Sequence, residues 1–255
     1  MLQACLNGSR DKDFHPQTPV TPAELAADAR RVVAAGAAEL HFHPRDADGA
    51  ETLDAAHVAA AIKAVRAAVP GTPIGLSTHA GIAPRGRGRL KTVEAWTVKP
   101  DYVSVNLVEE DAPQMIALAL DKGIGVEAGL WSVADAERLI ALPRAHDCLR
   151  ILIEINEQDI AQGLEVAAAI RTLLAGANLD LPILQHGFDA SVWPLYEDAL
   201  LRQLDTRIGL EDGRHLPDGT PAADNAALIT AALRLARLAP NLPPEAAAPT
   251  RATRN

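Results

Sequence analysis

Two histidines at alternate positions, His41 and His43, follow a short apolar run and could hold a metal ion. Residues two apart in a β-strand project from one face, so both imidazoles would point the same way while Phe42 points to the other face. Paired imidazoles are common metal ligands, and a third ligand would complete a catalytic site with an open position. We expect Glu211 to be that ligand, and two His with one Glu favour zinc over magnesium or calcium. The alternative is that the histidines only form hydrogen bonds to neighbouring carboxylates.

Further polar residues lie where other apolar runs end. Arg207 lies four positions before Glu211, on the same face and one layer deeper, and Asp212 follows Glu211 directly. Asp212 could pair with Arg207 as a structural ion pair, or it could accept a proton close to the metal. Other polar residues at such ends are Asn7, Ser77-Thr78-His79, Ser104, Asn106, Glu127, Glu154 and Gln185-His186.

These residues need a scaffold that brings distant strand ends together. Eight short apolar runs alternate with segments whose apolar residues have helical spacing. The predicted strands are Leu2–Leu6, Glu39–His43, Ile74–Ser77, Tyr102–Asn106, Gly125–Glu127, Leu149–Glu154, Leu181–Gln185 and Arg207–Leu210. Eight such units predict an α/β fold, a (β/α)8 barrel with a closed parallel sheet and its chemistry at the C-terminal strand ends. In this barrel strand 8 lies one strand away from strand 2, which is why Glu211 is the expected third ligand.

The alternative fold is an open, doubly wound sheet, which the same alternation permits. Such a sheet usually carries a glycine-rich turn after its first strand. The corresponding segment, Asn7-Gly8-Ser9-Arg10, lacks that pattern. The sequence therefore favours the closed barrel.

Composition limits the class of protein. The chain has 255 residues, of which 48% are hydrophobic and 3% aromatic, and a net charge of −9, which argues against nucleic acid or an anionic membrane as the main partner. No apolar run reaches ~18 residues, the first residues lack the basic flank of a signal peptide, and the two cysteines, Cys5 and Cys148, fit a reducing compartment. We therefore expect a cytoplasmic protein with one domain over residues 1–239 and a Pro-rich, mobile tail at 240–255.

Four segments occur in an order that points to a known family. They are Leu6-Asn7-Gly8, His41-Phe42-His43-Pro44-Arg45-Asp46, Ser77-Thr78 and Arg207-Ile208-Gly209-Leu210-Glu211-Asp212. Together they resemble the β-keto acid cleavage enzymes, the family of 3-keto-5-aminohexanoate cleavage enzyme. The similarity covers nearly the whole chain, which looks like the shorter, Ala-rich branch of that family.

The resemblance implies a zinc-dependent enzyme on a (β/α)8 barrel, with the metal at His41, His43 and Glu211. Family members combine a β-keto acid with acetyl-CoA and give acetoacetate and a new acyl-CoA by a retro-Claisen route. By the same resemblance the catalytic residues are Asp212, Arg207, Ser77, which would contact the substrate carboxylate, and Glu127, which matches a strand-5 carboxylate of the family. The substrate-binding positions are Asn7, Arg10, Thr78, Ser104, which stands where the family has Thr, and Asn106. A homo-oligomer is expected by analogy.

Two departures from the family border the expected pocket. Arg10 stands where longer members have a Glu, and His79-Ala80 replaces the usual pair of glycines. An amine-bearing acid such as 3-keto-5-aminohexanoate would need a carboxylate partner. Arg10 therefore predicts a keto acid that is anionic or neutral at its distal end.

The basic segment Arg85–Lys91 is either a solvated loop or a seat for the phosphates of CoA. The base is either Asp212 or a water that relays the proton.

Two other functions compete with this one. Metal-dependent barrel hydrolases with a His-x-His pair usually carry it after strand 1 and add histidines after strands 5 and 6, whereas here the pair follows strand 2 and those strands end in Glu127 and Glu154. A non-catalytic, ligand-binding barrel would hold no metal and would leave the convergent polar residues unexplained.

Overall fold

Eight parallel strands close into a barrel, and each strand is followed by a helix in the residues that the structure describes. The computed structural model describes residues 1–84 and 87–238. The strands are β1 (Leu2–Cys5), β2 (Glu39–Phe42), β3 (Ile74–Ser77), β4 (Tyr102–Asn106), β5 (Gly125–Leu130), β6 (Arg150–Ile155), β7 (Ile183–Gly187) and β8 (Asp205–Ile208). The helices are α1 (Pro22–Ala35), α2 (Ala55–Ala68), α3 (Arg87–Glu94), α4 (Ala112–Asp121), α5 (Val133–Ile140), α6 (Ile160–Gly176), α7 (Val192–Leu201) and α8 (Asn225–Leu238).

Each strand pairs with the next in chain order, and the pairing of β1 with β8 closes the sheet. The (β/α)8 barrel predicted from the sequence is therefore confirmed. The Pro-rich segment 240–255, predicted to be a tail, lies outside the described residues. Among those that are described, none of the helices combines the length and the apolar character needed to cross a bilayer.

Local sequence signals set the ends of the helices, as α1 illustrates. The hydroxyl of Thr21 accepts a hydrogen bond from the backbone N–H of Glu24, and the Glu24 carboxylate accepts one in return from the Thr21 N–H. This capping box satisfies two N–H groups that the helix leaves free. Gly36 ends the helix with a left-handed φ of 113° and donates to the carbonyl of Val32.

The inner face of the barrel carries a polar layer near the N-terminal ends of the strands. Gln3 Nε2 donates to Glu127 Oε1 at 2.8 Å and to the Tyr102 hydroxyl at 3.0 Å. Arg150 Nε donates to the same Glu127 oxygen at 2.8 Å. Tyr102 in turn donates to the carbonyl of Leu40 at 2.7 Å. This layer fills the barrel below the cavity described next.

Close approach of β1 and β8 positions the third predicted metal ligand. A Cβ at Gly209 would lie 1.8 Å from the Cys5 carbonyl oxygen, and a Cβ at Gly8 would lie 2.3 Å from Cγ of Glu211. Gly8 also has a φ of +51°, which other residues adopt only with strain. Glycine at these two positions therefore lets the Glu211 side chain lie across the end of β1.

Candidate metal centre and active-site cavity

A cavity of about 550 Å³ opens at the C-terminal ends of the strands. Many of the residues predicted to form the site line it. They are Arg10, His41, His43, Ser77, Ser104, Asn106, Arg207 and Glu211. The strand ends therefore bring together residues that are up to 201 positions apart in the chain, the separation of Arg10 and Glu211.

His41, His43 and Glu211 form a compact group at the inner end of this cavity. Each offers one ligand atom, and these atoms all lie within 4.8 Å of one another. His41 Nε2 is 3.9 Å from Glu211 Oε2, and His43 Nε2 is 3.7 Å from Glu211 Oε1. Phe42, between the two histidines, points outward into the apolar core, as the alternation predicted. This group could hold a metal ion.

Electrostatics favours the ligand form of His41 and of Glu211. Burial lowers the pKa of His41 to about 3, and the opposing effect of Glu211 is smaller, so the imidazole is neutral at pH 7. Burial alone would raise the pKa of Glu211, but Arg207, His41 and His43 lower it to about 2. Glu211 Oε2 is buried and has no hydrogen-bond partner among the described residues. A neutral imidazole and an ionised carboxylate with an unused oxygen are suited to a divalent cation, so the donor set fits one.

Asn7 fixes the backbone that carries His43. The backbone N–H of His43 donates to Asn7 Oδ1 at 2.8 Å, and Asn7 Nδ2 donates to the carbonyls of His43 and Pro19 at 2.9 and 3.0 Å. Asn7 is fully buried and its amide is used up by these bonds. The structure therefore places Asn7 behind His43, where its side chain positions a metal-site histidine, and not among the residues that line the cavity.

Arg207 lies at the centre of a buried charge network beside the metal group. Its Nη2 donates to Glu211 Oε1 at 2.9 Å and to Asp212 Oδ1 at 3.0 Å, and it lies 3.6 Å from Glu154 Oε2. Burial opposes the charge on Arg207, but these three carboxylates outweigh it and raise its pKa. His186 lies between Glu154 and Asp212, at 3.3 Å from an oxygen of each.

Two of these residues differ in their access to the cavity. Glu154 lines it, whereas Asp212 is fully buried behind Arg207 and does not. Burial and Arg207 lower the pKa of His186, yet Asp212 and Glu154 on either side raise it overall. The network thus holds Arg207 as a fixed cation that faces the cavity.

Two further predicted site residues do not reach the cavity. Thr78, predicted to bind substrate, is fully buried and donates from its hydroxyl to the carbonyl of Ser104 at 2.8 Å. The sequence places Glu127 in the active site because strand 5 is expected to end there. The strand continues to Leu130, which puts Glu127 in the polar layer, where it pairs with Arg150. Burial raises the pKa of Glu127 despite that pairing.

Several lining residues were not predicted from the sequence. They are Glu51, Trp131, Asn156, Gln158, Phe188 and Asp189. Trp131 follows the true end of β5, stacks on His79 at 6.4 Å between ring centroids and donates from Nε1 to Glu154. Had strand 5 been predicted to end at Leu130, Trp131 would have been recognised as a residue at a strand end. The signal for Glu51 was the turn sequence Asp46-Ala47-Asp48-Gly49, which folds the chain back toward His43.

Arg10 lies at the mouth of the cavity and is paired. Its Nη2 donates to both carboxylate oxygens of Asp189, at 2.9 and 2.8 Å, and its guanidinium stacks 4.2 Å from the Phe14 ring centroid. The positive charge predicted at this position is therefore accompanied by a negative one.

Part of the basic segment Arg85–Lys91 is committed to the fold. Residues 85 and 86 and the side chain of residue 87 lie outside the described part. Arg89 is fully buried, donates to the Thr78 carbonyl and to Glu109 at 2.6 Å, and also binds Asp111. Arg89 is not accessible to CoA phosphates, because its side chain is fully buried and both of its Nη groups are bound inside the protein, whereas Lys91 is exposed.

Comparisons with known proteins cover the whole described barrel. A family model described as beta-keto acid cleavage enzyme matches residues 1–169 and 159–253. Two curated relatives are both named 3-keto-5-aminohexanoate cleavage enzyme. The one from Acetoanaerobium sticklandii is 20% identical over 244 residues, covering 89% of this chain and 87% of its own. The one from Fusobacterium nucleatum is 24% identical over 247 residues, covering 89% and 86%.

Solved structures of ObcA share the fold. The apo structure has a TM-score of 0.71 at 16% identity and covers 89% of this chain and 62% of that one. The ternary complex of ObcA with a C4-CoA adduct and oxalate has a TM-score of 0.69 at 17% identity, covering 89% and 64%. This chain therefore spans less than two thirds of ObcA, and the likeness lies in the barrel.

Proposed function

The chain belongs to the family of beta-keto acid cleavage enzymes, and from this premise we propose that it condenses a β-keto acid with acetyl-CoA. The products are acetoacetate and the CoA thioester of the shortened acid. The bond between the α-carbon and the ketone carbon breaks, the α-carbon with its carboxylate takes the acetyl group, and the CoA sulfur takes the remaining acyl group. Use of CoA is supported by the ternary complex in which ObcA, a protein of the same fold, binds a C4-CoA adduct and oxalate.

The convergence of His41, His43 and Glu211 beside Arg207 in one cavity carries the proposal. Two His and one Glu with an open position are a common catalytic zinc set, so we assign Zn²⁺ to this group. When bound there, zinc supplies a Lewis acid that draws negative charge onto the ketone oxygen of the substrate.

The residues around the metal group bind and orient the acid. Arg207 stays protonated and faces the cavity, where it can pair with the substrate carboxylate. Ser77, Ser104 and Asn106 line the same cavity with hydroxyl and amide groups that can hydrogen-bond to the carboxylate and the ketone. Holding the substrate in one orientation lowers the barrier because the reacting atoms meet in the required geometry.

Proton removal from the α-carbon is assigned to Asp212. Its carboxylate is held by Arg207 at 3.0 Å and lies next to His186. Because Asp212 does not line the cavity, the proton would pass through an intervening water. In this arrangement Asp212 is the base and the water relays the proton to it, so the two alternatives for the base are combined in one path.

The Arg10–Asp189 pair at the mouth of the cavity offers a cationic substrate no free acidic partner. Arg10 and Asp189 form an ion pair there. The Asp189 carboxylate is therefore already bound to Arg10 and does not receive the amine of a substrate. We therefore assign to this enzyme a keto acid with a neutral or anionic distal end. Comparing turnover of cationic, neutral and dicarboxylic keto acids tests this assignment, and a clear preference for the cationic acid would contradict it.

A screen of β-keto acids with acetyl-CoA tests the function. The assay follows acetoacetate and the new acyl-CoA, and elemental analysis of the purified full chain measures zinc. We expect about one zinc per chain and turnover of at least one acid. A protein that binds no divalent metal and yields no acetoacetate from any acid would refute the proposal.

A further inference from the structure

Glu51 contacts a metal-group histidine from outside the group. A carboxylate oxygen of Glu51 is in hydrogen-bond contact with His43 Nδ1, on the opposite side of the imidazole ring from Nε2. An ionised carboxylate can only accept a hydrogen bond, so Nδ1 must carry the proton. In a neutral imidazole the lone pair then lies on Nε2, the atom that is 3.7 Å from Glu211 Oε1.

The chain holds Glu51 in this place with a tight hairpin. The backbones of Arg45 and Glu51 form an antiparallel bridge, and the N–H of Asp46 donates to the carbonyl of Ala50 at 2.9 Å. Arg45 Nη2 anchors this hairpin to the turn after β1 by donating to the carbonyl of Gly8 at 2.6 Å. The bond to His43 is therefore a product of a braced loop and not of a freely rotating surface side chain.

The two histidines differ in this respect. His41 is almost completely buried, and its Nδ1 has no hydrogen-bond partner among the residues that the structure describes. Nothing comparable to Glu51 therefore fixes the tautomer of His41 within that part of the chain. Of the two imidazoles, His43 is the one whose orientation and basicity are set by a carboxylate.

We propose that Glu51 is a positioning residue for the metal: it holds His43 in the tautomer and orientation that present Nε2 as a ligand. The inference rests on the metal site of the proposed function. Carboxylates that accept from the second nitrogen of a metal-binding histidine raise its basicity, and their loss typically weakens metal binding by about 10- to 100-fold.

The test measures Zn²⁺ affinity of the full chain by competition with a chromophoric chelator. We expect Glu51→Gln to weaken binding by about 10-fold, because the amide can accept the hydrogen bond but has no charge, and Glu51→Ala to weaken it by up to about 100-fold. The matched control is Asp48→Asn, which removes a charge from an exposed position of the same hairpin and should leave the affinity unchanged. The visible absorption of bound Co²⁺ should also change in both Glu51 variants, because it reports the geometry and strength of the ligands.

The outcomes separate this inference from the proposed function. If the unchanged protein binds no Zn²⁺, the metal site itself is refuted. If it binds Zn²⁺ and Glu51→Gln, with an unchanged thermal unfolding midpoint of the metal-free protein, binds it within twofold of the same affinity, the role of Glu51 is overturned while the metal site stands.

Discussion

Asp28 of α1 is a fully buried carboxylate that connects the helix layer to the strand ends. Its oxygens accept from Arg31 Nη2 at 2.8 Å and from Asn225 Nδ2 at 2.6 Å. Asn225 also donates to the carbonyl of Leu6 and accepts from the N–H of Leu210 at 2.7 Å. Burial raises the pKa of Asp28 from 3.8 to about 6, because the hydrogen bonds that favour its charge do not fully replace water.

The raised pKa makes stability depend on pH with a definite sign. Between pH 3.8 and 6 the folded state holds more protons at Asp28 than the unfolded state, so the free energy of unfolding falls as the pH rises. The whole change corresponds to roughly 3 kcal/mol, at about 1.36 kcal/mol for each pH unit between the two values. About 2 kcal/mol of it falls between ~pH 4.5 and ~7.5, the range in which denaturation is practical to measure.

Asp28→Asn removes this titrating group, and urea denaturation followed by circular dichroism measures the result. As the pH rises from ~4.5 to ~7.5, the unfolding free energy of the unchanged protein should fall by about 2 kcal/mol relative to that of the variant. Asp48→Asn, at an exposed position, controls for the loss of a charge. A difference for Asp28→Asn that stays constant over this range would show that burial does not raise its pKa, and would refute the reasoning.

Three further predictions concern the cavity. His41→Ala should abolish both bound zinc and turnover, and retention of one zinc per chain would exclude His41 as a ligand. Asp212→Asn should leave zinc content unchanged and lower kcat by about 100-fold or more, whereas a full rate would remove Asp212 as the base. Asp189→Ala should free the charge of Arg10 and raise kcat/KM for dicarboxylic over neutral keto acids by about 5-fold, an effect of roughly 1 kcal/mol at this half-exposed mouth. An unchanged ratio between the two classes of acid would show that Arg10 does not meet the distal end of the substrate.

The fold and the metal group were predictable because both depend on periodicity. Alternation of apolar runs with helical segments gives the number of strands, and closure then makes strand 8 a near neighbour of strand 2. Two-residue spacing places His41 and His43 on one face, and a neighbouring strand end supplies Glu211. No knowledge of side-chain packing is needed for any of these steps.

Depth along a strand was not predictable in the same way. Periodicity shows which face a residue occupies but not its height in the barrel, so ending strand 5 too early placed Glu127 in the cavity although it lies in the polar layer. Strand ends also expose backbone groups that need partners. Asn7 and Thr78 form hydrogen bonds to such backbone groups. The type of a polar residue does not show whether its side chain will bind the backbone or a ligand.

Charge at the mouth of the cavity shows why single residues mislead about specificity. Arg10 alone predicts a site for an anion, but its partner Asp189 comes from the loop after β7, 179 residues away, and changes the net charge there. The metal group lies on strand ends and the segments that directly follow them, whereas Arg10 and Asp189 lie on loops, which tolerate substitution with little effect on the barrel. Exchange of these two loop residues should therefore change which keto acid is accepted without changing the reaction, because the groups that make and break bonds are held at the strand ends and in the segments that directly follow them.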